Sequence, residues 1–188
     1  SGFTQTLDRL NGIHKLWIKL RESVDQQTCV VHPQSWKADF GELAEFIWLM
    51  SQGNGEPTIR TYSYSWGCGH GFISFAKELR KRGMHIDTAV LCDPVFHSWW
   101  RPWRALLCCP NIVIPPSVRE VYWFRQHQNR PCGTELVEAD EDATVIHDPI
   151  ILDREHAYMD DAPEFHSMCV QVSDHFLKEV ACERANTT

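Results

Sequence analysis

Short β-branched and aromatic runs alternate with stretches of helical apolar period along this chain, and that alternation is what most narrows its fold. The runs 58–65 (TIRTYSYS), 85–95 (HIDTAVLCDPV), 118–126 (VREVYWFRQ) and 143–152 (ATVIHDPIIL) read as strands, and 28–36 (TCVVHPQSW) reads as a further short buried strand that stops at its proline. Between them, Ile13, Leu16, Trp17 and Leu20 form the apolar stripe of a first helix over about 7–23. Asp39 is placed to cap a second helix whose inward residues are Leu43, Phe46, Ile47 and Met50. Phe72, Phe75, Ala76 and Leu79 carry a third helix, closed by Lys77, Arg80, Lys81 and Arg82 and then Gly83, which suits a helix C-terminus. Phe165, Met168, Cys169 and Val172 mark a last one. Strands separated by helices pair in parallel and take helices on both faces, so the expected fold is α/β, a three-layer sandwich with a mainly parallel sheet. No repeat, linker or low-complexity tract divides residues 1–188, which are read as one domain.

Composition removes several classes of function. A net charge of -7 argues against a phosphate-backbone partner, so no nucleic acid is expected. No apolar run reaches the roughly 20 residues that cross a bilayer, so no membrane span is expected. Eight cysteines do not make a stapled scaffold in a chain of 188 residues with 43% hydrophobic content. Cys29, Cys68 and Cys92 lie in or beside regular elements and Cys108 and Cys109 are adjacent, a pattern of buried reduced thiols that suggests a cytoplasmic protein. There is no C-x-x-C pair, and no metal site or cofactor is expected.

The sharpest local signal is TYSYSWGCGHG, residues 61–71. Ser65 ends a strand and a helix follows at once, with Gly67, Gly69 and Gly71 behind it. A strand–turn–helix this tight strains the backbone of its central residue and calls for small neighbours, a role given to Gly67. The glycines do not form a nucleotide fingerprint, because Phe72 stands where G-x-G-x-x-G needs its third glycine; they suit close packing of the helix on the sheet.

Ser63-Tyr64-Ser65-Trp66-Gly67 resembles the nucleophile elbow of the α/β-hydrolase superfamily, in a lipase- or esterase-like member, with Ser63 where the usual pattern has glycine. The resemblance extends to chain order over about 60–165: Asp93 follows the strand 85–92, and His156 follows the strand 143–152, each at a strand's C-terminal end. It implies that Ser65 is a nucleophile, His156 its general base and Asp93 the carboxylate that orients the base, acting without cofactor on a small-molecule ester or acyl substrate. It also implies an oxyanion hole built from the backbone amides of Trp66 and Phe3. If Gly2-Phe3 is that loop, the strand before it lies upstream of Ser1, so that either the chain lacks N-terminal strands or Ser1-Gly2 are not native.

Other residues compete for these roles. Glu135, Glu138, Asp140 and Asp142 read as a solvated acidic loop. Among the histidines, His147 reads as part of a strand and His166 as part of a helix, while His70, one turn past the elbow, is a candidate to line the site and His97 lies just past the third strand. Trp99, Trp100 and Trp103, with Arg101 and Arg104 between them, form an irregular aromatic stretch suited to an apolar substrate rim, or alternatively to covering the sheet edge. Two other functions fit the same fold: a binding protein that has lost catalysis, and a peptidase or acyltransferase using the same triad.

Overall fold

A computed structural model of the chain describes residues 11–26, 29–53, 55–96, 111–140 and 142–186, with side chains described as far as Asp174. The fold is α/β. Its sheet is built from β1 (Arg60–Tyr64), β2 (Ile86–Cys92), β4 (Val118–Arg125), β6 (Val145–Ile146) and β7 (Ile150–Ile151), in the order β1-β2-β4-β6, with β7 also pairing β4. A separate two-stranded sheet joins β3 (Ile112–Ile114) to β5 (Leu136–Glu138). Every pairing among the described residues is parallel.

Side-chain alternation along the strands divides the interior into two cores. Ala89 and Leu91 of β2 and Val121 and Trp123 of β4 face one side, packed by Ala44, Leu43 and Ile47 of α2 (Phe40–Ser51) and by Phe75, Ala76 and Leu79 of α3 (Ile73–Arg80). Val90, Cys92 and Phe124 face the other, covered by Leu16 and Leu20 of α1 (Gly12–Ser23) and by Phe165 and Cys169 of α4 (Pro163–Asn186). Helices on both faces of a parallel sheet are compatible with three layers. Burial on both faces also explains why β2 reads as a nearly unbroken apolar run.

The helix ends follow the local chemistry of the sequence. Asp39 Oδ1 accepts hydrogen bonds from the amides of Gly41 at 2.9 Å and Glu42 at 3.0 Å, and Asn11 Oδ1 accepts from His14 N at 2.9 Å. Gly83 takes a φ of +72° after α3. The amide of Met84 then reaches back to Leu79 O and that of Gly83 to Arg80 O, which closes the helix.

The structure corrects five expectations. Residues 29–35 form no strand: Val30 is 83% exposed, Pro33 has no amide to donate, and Val31 accepts a bond from the Trp17 indole instead of entering the sheet. The strand expected over 143–152 is two short pairings, interrupted where Pro149 cannot contribute an N–H; the Trp123 indole donates to His147 O at 2.8 Å across that gap. His147 lies in this gap, outside either strand. Finally, β5 lies in the stretch expected as a solvated acidic loop, β3 was not expected at all, and α2 exposes Phe46 and Met50, two of its four expected core residues.

Among the described residues, Cys29, Cys68, Cys92, Cys132 and Cys169 are free thiols, no cluster of His, Cys, Asp or Glu is arranged to hold a metal ion, and no helix is long and apolar enough to cross a membrane.

Candidate active site

Strand β1 ends at Tyr64, and Ser65 turns the chain into a helical segment. The Ser65 φ is +54°, in the left-handed region that a residue with a Cβ adopts at a cost of roughly 1 kcal/mol or more. Neighbours hold it there. Its amide donates to Cys92 O at 2.9 Å, and its carbonyl accepts from Cys68 N and Val95 N, both at 3.1 Å. The next six residues, Gly67–Phe72, are π-helical before α3 begins, a wide turn common at functional sites.

The glycine that this turn requires is not the one anticipated from the motif. A Cβ on Gly67 would meet nothing within 4 Å, whereas a Cβ on Gly69 would sit 2.3 Å from Val95 O. Gly69 therefore lets the helix approach the segment leaving β2, which carries the second special residue. Asp93 has a φ of +44°, and its amide is fixed to Phe124 O at 2.8 Å. Two non-glycine residues with positive φ thus stand at the C-terminal ends of adjacent parallel strands, the edge where α/β folds assemble their sites.

His156 completes the arrangement. It opens a 3₁₀ turn, His156–Asp161, that links β7 to α4. Its Nε2 lies 2.8 Å from Ser65 Oγ and its Nδ1 2.5 Å from Asp93 Oδ2. Because a carboxylate can only accept, Nδ1 carries the ring proton and Nε2 presents its lone pair to the serine hydroxyl. Asp93 is fully buried, Ser65 is 6% exposed, and the His156 side chain is 14% exposed. The three residues singled out in the sequence are therefore in one hydrogen-bonded line.

The backbone of His156 is gripped from both sides. Its amide donates to Asn129 Oδ1 at 2.8 Å, and its carbonyl accepts from the Tyr64 hydroxyl at 2.6 Å. The Tyr64 ring also stacks on the imidazole, with centroids 5.2 Å apart. Burial, assisted by the charge of Asp160, pushes the Tyr64 phenol well above its ordinary range, so it remains a donor at all physiological pH values. The 3₁₀ turn is in turn held by α1: Gly12 approaches it so closely that a Cβ there would lie 2.0 Å from Asp160 O, and Lys15 pairs with Asp161 at 2.7 Å.

The competing residues lie elsewhere. Glu135 pairs with Arg125, His147 with Glu120 at 2.9 Å, and His166 packs between Lys19 and Asp160 O. His70 joins an aromatic cluster: its ring stacks on Trp66 with centroids 4.6 Å apart, with Phe96 at 4.9 Å and Trp36 at 6.2 Å. Trp36 was not anticipated there, because only the tertiary fold brings residue 36 beside residue 66. Cys68 is wholly buried, and burial raises its thiol pKa well above the usual range, which makes it an inert filler. Trp66 opens the helical segment behind Ser65. Phe3, His97, Trp99, Trp100, Arg101, Trp103 and Arg104 fall outside the described residues.

Sequence reasoning also missed Tyr64, Asn129 and Gln126. The signal available was position: Tyr64 abuts Ser65, and Gln126 is the polar residue that ends the strand run 118–126.

Compared with protein-family models, with curated proteins and with solved structures, the chain matches none.

Proposed function

We propose that this chain is a serine hydrolase of the α/β-hydrolase type, cleaving carboxylic ester or thioester bonds through an acyl-enzyme. The observation that carries the proposal is the continuous line from Ser65 Oγ to His156 Nε2 at 2.8 Å and from His156 Nδ1 to Asp93 Oδ2 at 2.5 Å, with Ser65 held at positive φ. A serine hydroxyl becomes nucleophilic when a neutral imidazole takes its proton as the oxygen attacks. His156 is in the tautomer that can do so, and the buried Asp93 carboxylate stabilises the imidazolium that forms.

The reaction follows. Ser65 Oγ bonds to the substrate carbonyl carbon while its proton passes to His156 Nε2. The imidazolium then protonates the leaving alcohol or thiol as the carbon–oxygen or carbon–sulfur bond breaks. Water, deprotonated by the same nitrogen, then attacks the acyl-Ser65 ester, and His156 returns that proton to Ser65 Oγ as the bond to the acyl carbon breaks and the acid leaves. The Trp66 amide, at the start of the helical segment, is the proposed donor to the oxyanion, with the Phe3 amide as its partner by resemblance. The tryptophans at 99, 100 and 103 remain the proposed substrate rim. The short distances in the triad favour catalysis over a binding protein that has lost it.

The test is covalent labelling with a fluorophosphonate, read by intact mass. The wild type should gain one adduct, on Ser65. Ser65→Ala and His156→Ala should lose it, since removing nucleophile or base in such triads costs ~10⁶-fold in rate. A folded wild type that stays unlabelled would overturn the proposal.

A further inference from the structure

Gln126 is fully buried at the end of β4, beside the strand that delivers Asp93, and a buried polar side chain requires an account. Its amide is saturated. Nε2 lies 3.2 Å from Asp93 Oδ2, 2.9 Å from Asn129 O and 2.9 Å from Pro131 O, while Oε1 accepts from Gln128 N at 2.7 Å and Asn129 N at 3.0 Å. Chemistry fixes the orientation of the amide: a flip would aim its oxygen at three acceptors and its NH₂ at two N–H donors.

We infer that Gln126 is a positioning residue for the acid–base pair, acting on both of its members. Resting on the hydrolase reading, the inference assigns Gln126 a direct and an indirect route. Directly, its amide donates to the same Asp93 oxygen that accepts the hydrogen bond from His156 Nδ1–H, and so turns that oxygen toward the base. Asp93 Oδ1 has no hydrogen-bond partner among the described residues and faces Gly133, whose absent side chain leaves it room: a Cβ there would lie 2.6 Å away. Both donors to the carboxylate therefore converge on Oδ2, and Gln126 is the one that is not itself part of the triad. Indirectly, Gln126 folds the loop 126–131 around its own amide, and that loop presents Asn129 Oδ1 to the backbone N–H of His156 at 2.8 Å. One side chain thus links acid and base by a path parallel to their direct contact.

A donor on a carboxylate spreads its negative charge and weakens its hold on the neighbouring imidazolium. Removing that donor should therefore strengthen imidazolium–carboxylate pairing and require a higher pH to free Nε2. A residue important only for packing would lower thermal stability without moving the pH profile of the folded protein.

The experiment measures the fluorophosphonate labelling rate of Ser65 against pH for the full chain, with thermal unfolding recorded alongside. For Gln126→Met, of similar volume and without the amide, the rate should fall about tenfold or more. The pH midpoint of labelling should rise by about half a unit or more. Asn129→Ala should slow labelling with the midpoint unmoved, because it touches the His156 backbone and not the carboxylate. Should Gln126→Met fail to fold, Gln126→Leu also removes the donor to Asp93 with less bulk, and the same upward shift is expected. A folded Gln126 variant that labels at the wild-type midpoint overturns the inference while leaving the hydrolase reading intact. A wild type that does not label overturns the hydrolase reading first, and this inference with it.

Discussion

At the scale of single residues, the site depends on two backbone conformations that side chains disfavour, at Ser65 and Asp93, and each is anchored to the strand beside it. The glycines around them separate by what a methyl group would meet. Gly67→Ala should be neutral or stabilising by roughly 0.5–1 kcal/mol, since a Cβ there enters open space and alanine loses less entropy in a helical segment. Gly69→Ala drives a Cβ against the Val95 carbonyl and should cost about 1–3 kcal/mol or more. Denaturant unfolding of the two variants checks this directly, and equal effects would contradict it. The five-residue pattern around Ser65 pointed to a strained turn but assigned the steric role to the wrong glycine, because the crowding comes from the segment after β2 rather than from the turn itself.

Among the elements, α2 joins a cap readable from sequence to a face that is not. Asp39→Ala removes an acceptor shared by two amides of the first turn and should cost about 1 kcal/mol. Leu49→Gln should stay within about 0.5 kcal/mol of wild type, because Leu49 is 56% exposed even though the helix is apolar nearly all round. Comparing the two unfolding midpoints tests whether the structure assigns the faces of α2 correctly; the reverse order would contradict it. Helical spacing placed Phe46 and Met50 in the core, but an apolar helix offers several stripes, and contact with α3 selects the one containing Leu43, Ala44 and Ile47. The strands β3 and β5 were illegible for a related reason. Three residues have little intrinsic preference, and what stabilises them is pairing across a separation of more than 20 residues.

Across the whole molecule, the turn carrying His156 is tied to both α1 and α4. His166 of α4 donates from Nε2 to Asp160 O at 2.8 Å and accepts from Lys19 Nζ at 3.1 Å, with Asp161 and the Phe165 ring close by. Burial, with Lys19 adding to it, lowers the His166 pKa below its ordinary 6.5. The folded state thus binds fewer protons than the unfolded state just below that pH, so stability is full above about 6.5 and declines as pH falls toward the lowered value. The melting temperature should drop more steeply between pH 7 and pH 5 in the wild type than in His166→Gln; parallel slopes would refute the assignment. The α/β class, the helices α1 to α4 and the strands near 58–65, 85–95 and 118–126 were legible in the sequence alone, as was the order of Ser65, Asp93 and His156 along it, because strand and helix periods, caps and turn motifs are local patterns. Only the tertiary structure decided that these three side chains meet within hydrogen-bond distance, that Gln126, Asn129 and Tyr64 hold them, and that 29–35 stays out of the sheet. Such contacts join positions 27 to 92 residues apart, and no short-range pattern records which distant backbone will supply a donor or occupy a face.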